Sequence, residues 1–292
     1  MKPPAFDYCA PRTPDEALLL LAQYGDDGRV LAGGQSLVPL LNFRMARPSV
    51  LIDLNLCAGL DYLHVEQESL VIGPMTRQAN AERHHLVHKH CPLLAQAIGF
   101  MGHLTIRNRG TVGGSLAHAD PCAELPAVAM ALDAEMIVEG NGHRRSLAPD
   151  EFFADSLVTA IEPGEMLREI RFPIRRDGDR HSFVESGVRR ADLAIAGIAI
   201  SIHVTAAGFC ENARVVSLGG GPCPVRLTSV QSLIDGRRVE DINIVEVSTA
   251  SRDDVDPPSD LQASSDYRRD LIVSLTRDAL RNVFADNIGA SA

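Results

Sequence analysis

The hydrophobic positions in the first part of the chain follow helical spacing and then short apolar runs. Thr13-Pro14-Asp15-Glu16 is typical of a helix start, with threonine as N-cap, proline at the first helical position and glutamate closing a capping box. Leu18 and Leu21 continue one apolar face of that helix. Apolar runs at 29–32 and 51–54 predict short strands. The pattern therefore predicts an N-terminal part that mixes helices with strands.

Further along the chain the pattern changes to hairpins and longer strands. An Asn-Gly pair at 141–142 stands between apolar runs at 135–139 and 144–147, which is typical of a hairpin. A charged stretch over 175–180 separates this region from a C-terminal part. The other predicted elements are a helix over 37–41 capped by Ser36, strands within 60–72, helices over 79–88 (capped by Thr76), 92–100 and up to 132, strands over 194–204 and 213–218, a helix over 225–234, a solvated linker over 253–259 and a last helix over 266–284.

Composition and charge narrow the class of protein. The 292 residues are 45% hydrophobic, which is ordinary for a globular chain that forms sizeable cores. The net charge of −10 argues against a nucleic-acid partner, because no basic stripe offsets it. No run approaches the roughly 20 apolar residues of a membrane span, and the first residues lack the apolar core of a signal peptide. These features predict a cytoplasmic protein.

The spacing of the cysteines and histidines does not favour a metal site. The six cysteines are scattered without a Cys-x-x-Cys pair, so we expect reduced thiols and no zinc or iron–sulfur cluster in this chain. His84 and His88 stand one helical turn apart, but no carboxylate or cysteine ligand is evident nearby. We therefore predict a solvated helix end at these histidines.

Two glycine-rich turns carry the candidate binding chemistry. Ala32-Gly33-Gly34-Gln35-Ser36 and Thr111-Val112-Gly113-Gly114-Ser115 each follow an apolar stretch. Glycine pairs let the main chain approach a ligand closely, and consecutive N–H groups form a concave nest for an anion. Two such nests indicate a ligand with two phosphates, such as a dinucleotide, although a plain strand–helix turn would explain either one alone. Neither turn has the glycine spacing of a Rossmann or P-loop motif.

The second turn lies within a longer run, Ile-Arg-Asn-Arg-Gly-Thr-Val-Gly-Gly-Ser-Leu-Ala-His-Ala-Asp-Pro at 106–121. This run closely resembles the FAD-binding medium subunit of the molybdenum hydroxylases. That family includes carbon monoxide dehydrogenase, xanthine dehydrogenase and bacterial dehydrogenases of nicotine and related N-heterocycles. The resemblance covers essentially the whole chain and continues through the segments 122–126, 189–197, 221–226, 259–261 and 267–269.

The resemblance implies an α+β fold with two domains. Residues 1–175 would form a two-lobed FAD-binding domain of the vanillyl-alcohol-oxidase (PCMH) type, with lobes over 1–57 and 58–175. Residues 181–287 would form a C-terminal α+β domain of the CO dehydrogenase flavoprotein type.

The resemblance also implies which residues contact FAD. Main-chain N–H groups of the first turn would bind the diphosphate, and the second turn would lie beside the diphosphate and the ribityl chain. Asp120 and Glu124 would accept hydrogen bonds from ribityl or ribose hydroxyls, with helix capping as the other interpretation of Asp120. The full predicted cofactor-binding set is Leu31, Ala32, Gly33, Gly34, Gln35, Ser36, Leu37, Thr111, Val112, Gly113, Gly114, Ser115, Asp120, Glu124, Leu167 and Glu185.

Some positions in this set depart from the family or allow two roles. Gln35 stands where many relatives have histidine, which leaves a main-chain contact intact. Glu185 stands where relatives frequently have lysine, and an acid near the isoalloxazine disfavours an anionic reduced flavin. Arg107 and Arg109 could clamp a phosphate or form salt bridges that shape the loop.

By resemblance, the chain is the FAD-carrying electron-transfer subunit of a molybdopterin-dependent hydroxylase complex. A [2Fe-2S] small subunit would deliver electrons, a molybdopterin large subunit would hydroxylate the substrate, and NAD⁺, O₂ or another acceptor would receive the electrons. The complex would be a dimer of heterotrimers. No side chain of this chain need act as a catalytic acid or base. The substrate stays open, since its pocket would lie in another subunit.

Two other functions are consistent with the residues. A self-contained FAD oxidoreductase would need its own substrate pocket over the flavin ring. A flavin-free structural subunit would not need the glycine pairs, so their presence in both turns argues against it. In each flavin-binding case the FAD is expected to be non-covalent, because neither turn contains histidine or cysteine for a covalent link.

Overall fold

The chain begins with a small parallel sheet whose strands are connected by helices. The computed structural model describes residues 1–140, 142–189 and 191–288. The first strands are β1 (Asp7–Cys9), β2 (Gly28–Leu31) and β3 (Val50–Asp53), and the helices are α1 (Pro14–Tyr24) and α2 (Leu37–Asn42). The sheet has the order β1-β3-β2 with both pairings parallel. Parallel neighbours need crossover connections, which α1 and α2 help to provide.

The N-terminus of α1 follows the sequence prediction. Thr13 Oγ1 accepts a hydrogen bond from the Glu16 N–H at 3.2 Å, and Pro14 is the first helical residue. Leu18 and Leu21 are buried in one cluster with residues of β3. The prediction that the Ser36 side chain caps α2 is wrong, because Ser36 already has α-helical dihedral angles and its side chain makes no cap hydrogen bond.

A five-stranded antiparallel sheet and most of the helices follow. The strands are β4 (Leu63–Glu66), β5 (Ser69–Ile72), β6 (Glu135–Gly140), β7 (His143–Leu147), the short pair β8 (Phe153–Asp155) and β9 (Val158–Thr159), and β10 (Met166–Pro173). The sheet order is β4-β5-β10-β6-β7, and β6 and β7 form the predicted hairpin, whose Asn141 lies outside the described residues. The helices are α3 (Gln78–Arg83), α4 (His85–His90), α5 (Pro92–Phe100), α6 (Leu104–Arg107), α7 (Val112–His118), α8 (Glu124–Ala131) and α9 (Pro149–Phe152).

The predicted single helix over 79–88 is wrong. The structure has two short helices, α3 and α4, because His84 between them has an extended backbone. Thr76 does not cap α3: its hydroxyl donates to the Tyr62 carbonyl at 2.9 Å, and its own carbonyl accepts from the Val112 N–H. Helix α3 begins at Gln78, so Arg77 and not Thr76 occupies its N-cap position.

The C-terminal part is a four-stranded antiparallel sheet covered by helices. It contains β11 (Asp179–Gly187), β12 (Ala194–Val204), β13 (Cys210–Leu218), β14 (Val225–Arg226), α10 (Thr228–Ile234), α11 (Ile244–Ala250) and α12 (Ser265–Ile288), in the strand order β11-β12-β13-β14. Short 3-10 helices occupy Gly25–Asp27, Leu54–Leu56 and Val239–Asp241. Leu275 and Ala279 of α12 are buried in the core of this part and Leu271 packs against it, as the apolar spacing of these three residues predicts.

Two predictions for this part need correction. The residues at 225–226 are not helical, because Val225 pairs with Ser217 as a strand and α10 begins only at Thr228. The segment 253–259 is not simply a solvated linker. Val255 is buried in the core, and the Asp254 carboxylate accepts from the Ser229 N–H at the start of α10.

One hydrophobic core extends through both parts of the chain. Leu116 and Val128 belong to the same buried cluster as Phe183, Ala199 and Val216 of the C-terminal sheet. No helix within the described residues has the length and apolar character needed to cross a bilayer. A cytoplasmic location stays a prediction.

Polar contacts fasten the C-terminal sheet to the loop before α8. The Gly219 N–H donates to the Pro121 carbonyl at 2.8 Å. Arg268 of α12 is 2% exposed and donates to the Ile195 carbonyl and to the Asp260 carboxylate, the latter at 2.6 Å. Its guanidinium also lies 4.0 Å from the sulfur of Cys122. The loop over 120–123 is therefore held in place by both parts of the molecule.

Candidate cofactor site

A cleft with a volume of about 710 Å³ brings the two glycine turns together. Its walls come from the N-terminal parallel sheet, α7, the start of α8, β10 and the loop before β12. Most of the predicted set lines it: Ala32, Gly33, Gly34, Gln35, Ser36, Leu37, Thr111, Gly113, Gly114, Ser115, Asp120, Glu124 and Leu167. Residues far apart in the sequence thus form one elongated site.

The other predicted residues do not line this cleft. Leu31 lines a smaller adjoining pocket of about 360 Å³, which shares the first turn with the cleft. Val112 is fully buried in the core. Glu185 interacts electrostatically with Glu124, which does line the cleft.

The first glycine turn has the free donors that an anion site needs. Within the described residues, the main-chain N–H groups of 33–37 have no hydrogen-bond partner. Gly34 has a positive φ of 73°, a conformation that glycine adopts without strain. The Gln35 side-chain amide donates to the Gly33 carbonyl at 3.0 Å, and the Asn55 amide donates to the Ala32 carbonyl at 2.9 Å. The carbonyls are thus engaged, while consecutive N–H groups remain available to a ligand.

The second glycine turn differs from the expectation of a second nest. It is the first turn of α7, and its N–H groups are already bonded: Gly113 to the Pro74 carbonyl and Gly114 to Thr111 Oγ1, both at 3.0 Å. Thr111 is the N-cap of the helix, so its hydroxyl is engaged as an acceptor. A Cβ on Gly113 would lie 2.5 Å from the Pro74 side chain. Close packing therefore explains these glycines, with no free N–H groups.

The two turns are fixed against each other by backbone packing. A Cβ on Gly33 would collide with the Arg109 carbonyl oxygen and lie 2.8 Å from Cα of Gly110. The Arg77 guanidinium donates to the Arg109 carbonyl and to the Asn55 side-chain oxygen, the latter at 2.6 Å. Sequence reasoning missed Asn55 and Arg77 as supports of the site. A polar residue two positions after the end of the buried strand β3 was the signal for Asn55.

The structure separates the roles of the two arginines that the sequence left open. Arg107 forms an ion pair with Glu82 at 3.1 Å and donates to the carbonyls of Met101 and Gly102, so it shapes the loop. Arg109 is exposed and lines the smaller pocket beside the first turn. Within the described residues its guanidinium has no ion-pair partner, which leaves it available to an anion.

Two acidic side chains, those of Glu124 and Glu185, interact beside the cleft. Glu124, the first residue of α8, is 7% exposed. Burial raises its pKa to about 8, with the nearby acids Glu185 and Asp120 adding to the shift. Burial also raises the pKa of Glu185 to about 7. Both side chains therefore hold protons far more readily than exposed carboxylates do.

Of the two interpretations of Asp120, helix capping is wrong, while the contact with FAD stays a prediction. Its carboxylate accepts from the Cys122 N–H at 2.8 Å and so closes a turn. It does not cap α8, because that helix begins at Glu124 with Ala123 as its N-cap. Asp120 also lines the cleft.

The histidine cluster and the cysteines have structural explanations. His84 Nδ1 accepts from the Leu86 N–H at the start of α4, and its ring stacks on His85 with centroids 4.8 Å apart. Within the described residues no group of histidine, cysteine and carboxylate side chains could hold a metal ion. All six cysteines are free, and burial raises the pKa of Cys91 to about 12.

Residues 4–175 match the family model described as the FAD binding domain in molybdopterin dehydrogenase, and residues 181–283 match the CO dehydrogenase flavoprotein C-terminal domain. The chain belongs to the FAD-binding subunits of the molybdenum hydroxylases. This confirms the family, the fold class and the FAD cofactor that the sequence predicts, and makes the chain an oxidoreductase subunit.

Relatives of this FAD-binding subunit match over nearly their whole length. The 6-hydroxypseudooxynicotine dehydrogenase complex subunit alpha of Paenarthrobacter nicotinovorans is 38% identical, over 96% of this chain and 95% of its own. The caffeine dehydrogenase subunit beta of Pseudomonas sp. (strain CBB1) is 35% identical, over 99% and 97%. Among solved structures, carbon monoxide dehydrogenase from Hydrogenophaga pseudoflava superposes with a TM-score of 0.94 at 32% identity, covering 98% of this chain and 99% of that one.

Proposed function

We propose that this subunit binds FAD in the 710 Å³ cleft and relays electrons from a [2Fe-2S] subunit to NAD⁺, O₂ or another acceptor. The molybdopterin-containing subunit of the same complex, a dimer of heterotrimers, would oxidise the substrate. The run of unpaired N–H groups at 33–37 carries the proposal, because consecutive free N–H donors suit a diphosphate.

The residues around the cleft fit the parts of FAD in order. The N–H groups at 33–37 would hold the diphosphate, and α7 would approach it closely through Gly113 and Gly114. The hydroxyls of Thr111 and Ser115 are polar groups of the same wall. Asp120 and Glu124 would meet ribityl or ribose hydroxyls, and buried Leu167 would contact the ring. Leu31, Ala32, Val112 and Glu185 would support these contacts.

The chemistry supplied by bound FAD is the exchange of two electrons in one-electron or two-electron steps. This chain contributes binding, orientation and the electrostatic environment. Leu157, Val158 and Leu193, which line the cleft, are each nearly half exposed. Exposed apolar side chains at the edge of a site suit coverage by another subunit.

The proposal predicts that denaturing the protein releases unmodified FAD. The turns contain no histidine or cysteine, so acid or heat treatment of the purified chain should release all of the flavin into the supernatant. Chromatography of the supernatant against FAD and FMN standards measures this. Flavin that stays with the precipitated protein, or a release of FMN, would contradict the proposal.

The relay proposal also predicts that the isolated subunit has no organic substrate. Stopped-flow mixing of the FAD-loaded chain with N-heterocycles or aldehydes should leave the flavin absorbance unchanged. Adding the iron–sulfur and molybdopterin subunits should make flavin reduction depend on the substrate. Rapid bleaching of the isolated flavoprotein by such a compound would instead favour a self-contained oxidoreductase.

A further inference from the structure

Glu124 and Glu185 interact electrostatically beside the cleft, and within the described residues neither carboxyl group forms an ion pair. Glu124 lines the cleft and is more than nine-tenths buried. Glu185 lies in β11 opposite Gly197 of β12, where a Cβ on residue 197 would lie 2.9 Å from Cβ of Glu185. The Glu185 oxygen Oε2 is buried and has no hydrogen-bond partner within the described residues.

Strand alternation shows what surrounds Glu185. Ser182 and Val184 face α12, since Asn282 donates to Ser182 and Val184 packs on the α12 core. Phe183 faces the opposite side, where its ring lies 5.4 Å from that of Phe100 in α5. Successive side chains of a strand alternate between its faces, so Glu185 shares the side of Phe183. The charged residues of α12 therefore lie on the other face of the sheet, except Arg268, which reaches Cys122 and forms an ion pair with Asp260 rather than with Glu124.

No cation among the described residues of the elements packed around the pair forms an ion pair with Glu124 or Glu185. Helix α5 has no charged or titratable side chain, and on α7 burial lowers the pKa of His118, which favours its neutral form. Most of the remaining titratable groups on these elements have other partners: Asp150 pairs with Arg226, Glu151 accepts from the Ala148 N–H, His203 pairs with Asp179, and Arg214 pairs with Asp133. Cys210 and Glu211 lie at the other end of β13. The charges acting on Glu124 are those of Glu185 and Asp120, both acidic.

We propose that Glu124 meets FAD as a neutral carboxyl that donates a hydrogen bond, and that Glu185 is the positioning residue that keeps Glu124 neutral. Two like charges in a water-poor site without a cation are costly, and holding a proton removes that cost. The inference rests on the proposed binding of FAD in this cleft. It replaces the expectation that Glu124 is a carboxylate acceptor, because a protonated carboxyl can donate to an acceptor atom of the cofactor.

The elevated pKa values support the same assignment. The pKa of Glu124, about 8, lies above neutrality. As the pH rises through this value, Glu124 loses the proton that it would donate. FAD binding should therefore be strongest at pH values below the pKa of Glu124 and weaken above it. A carboxylate acceptor would show the reverse.

The experiment measures the FAD dissociation constant of the full chain from about pH 6 to about pH 9, where one linked proton changes affinity by up to about tenfold per pH unit. Wild-type affinity should be constant on the acid side and fall on the alkaline side. Glu124→Gln, which keeps a donor at all pH values, should bind FAD with a flat profile. In Glu185→Gln the loss of FAD affinity should begin at a lower pH than in wild type, because the substitution removes the charge that opposes ionisation of Glu124. Glu246→Gln, on an exposed face of α11, is the matched control and should follow wild type.

An infrared spectrum of the FAD-free chain provides a readout independent of binding. At neutral pH it should contain a protonated-carboxyl band that is weaker in Glu124→Gln and unchanged in Glu246→Gln. A band that Glu124→Gln leaves unchanged, a flat wild-type binding profile, or affinity that rises with pH would overturn the inference. If wild type binds no FAD at any pH, the proposed function is wrong. The infrared band then still decides whether Glu124 is neutral.

Discussion

Replacing Gly33 by alanine is expected to weaken FAD binding by about 10- to 100-fold, the equivalent of the 1–3 kcal/mol that overpacking costs. The new methyl group would collide with the Arg109 carbonyl and with Cα of Gly110, which are main-chain atoms that no side-chain rotation can move. The first turn must therefore shift away from the loop before α7. That shift would displace the N–H groups at 33–37, which are the proposed diphosphate donors.

Gly99→Ala is the matched control for this substitution. Gly99 lies in α5, and among the described residues no atom beyond its chain neighbours and the adjacent helix backbone lies within 4 Å of the position that its Cβ would occupy. Titration of FAD fluorescence with each purified variant measures the affinities. If Gly33→Ala binds FAD as tightly as Gly99→Ala does, the first turn is only a strand–helix connection and the diphosphate lies elsewhere.

Arg268→Met is expected to lower the free energy of unfolding by about 2–4 kcal/mol. The substitution leaves the buried Ile195 carbonyl without its donor and removes the ion pair with Asp260. It also removes the contact with Cys122, so the loop that carries Asp120 loses one of its supports. FAD affinity should fall together with stability.

The neighbouring residue offers a control of the same chemistry. Arg269 pairs with the fully exposed Asp256, and exposed ion pairs contribute about 1 kcal/mol or less. Urea unfolding of both variants, followed by circular dichroism, compares the two effects. Equal losses for Arg268→Met and Arg269→Met would show that the buried contacts of Arg268 do not fasten the loop.

The sequence predicted those features that depend on local signals. The cap at Thr13, the hairpin around 140–143 and the strand over Ala194–Val204 each follow from residues adjacent in the chain, and the structure confirms them. The first glycine turn is also a local feature, and its unpaired N–H groups agree with the nest expected there.

Features that depend on distant partners could not be derived in this way. The glycine pairs of the two turns look alike in the sequence. In the second turn, however, the Gly113 N–H already donates to the Pro74 carbonyl. Arg107 and Arg109 are equivalent in the sequence, and their roles differ because Glu82 and the Met101 and Gly102 carbonyls lie beside Arg107. Similarly, Glu124 and Glu185 lie far apart in the chain, so their mutual repulsion appears only after the C-terminal sheet packs against α8.

The hydrophobic core that includes Leu116, Val128, Phe183 and Val216 has a consequence for how the chain unfolds. Its residues come from both sides of the boundary between the two family matches. A cut near residue 178 would divide this core and expose apolar faces on both fragments. The two regions should therefore melt in a single cooperative transition, and neither is suited to production as an independent soluble fragment.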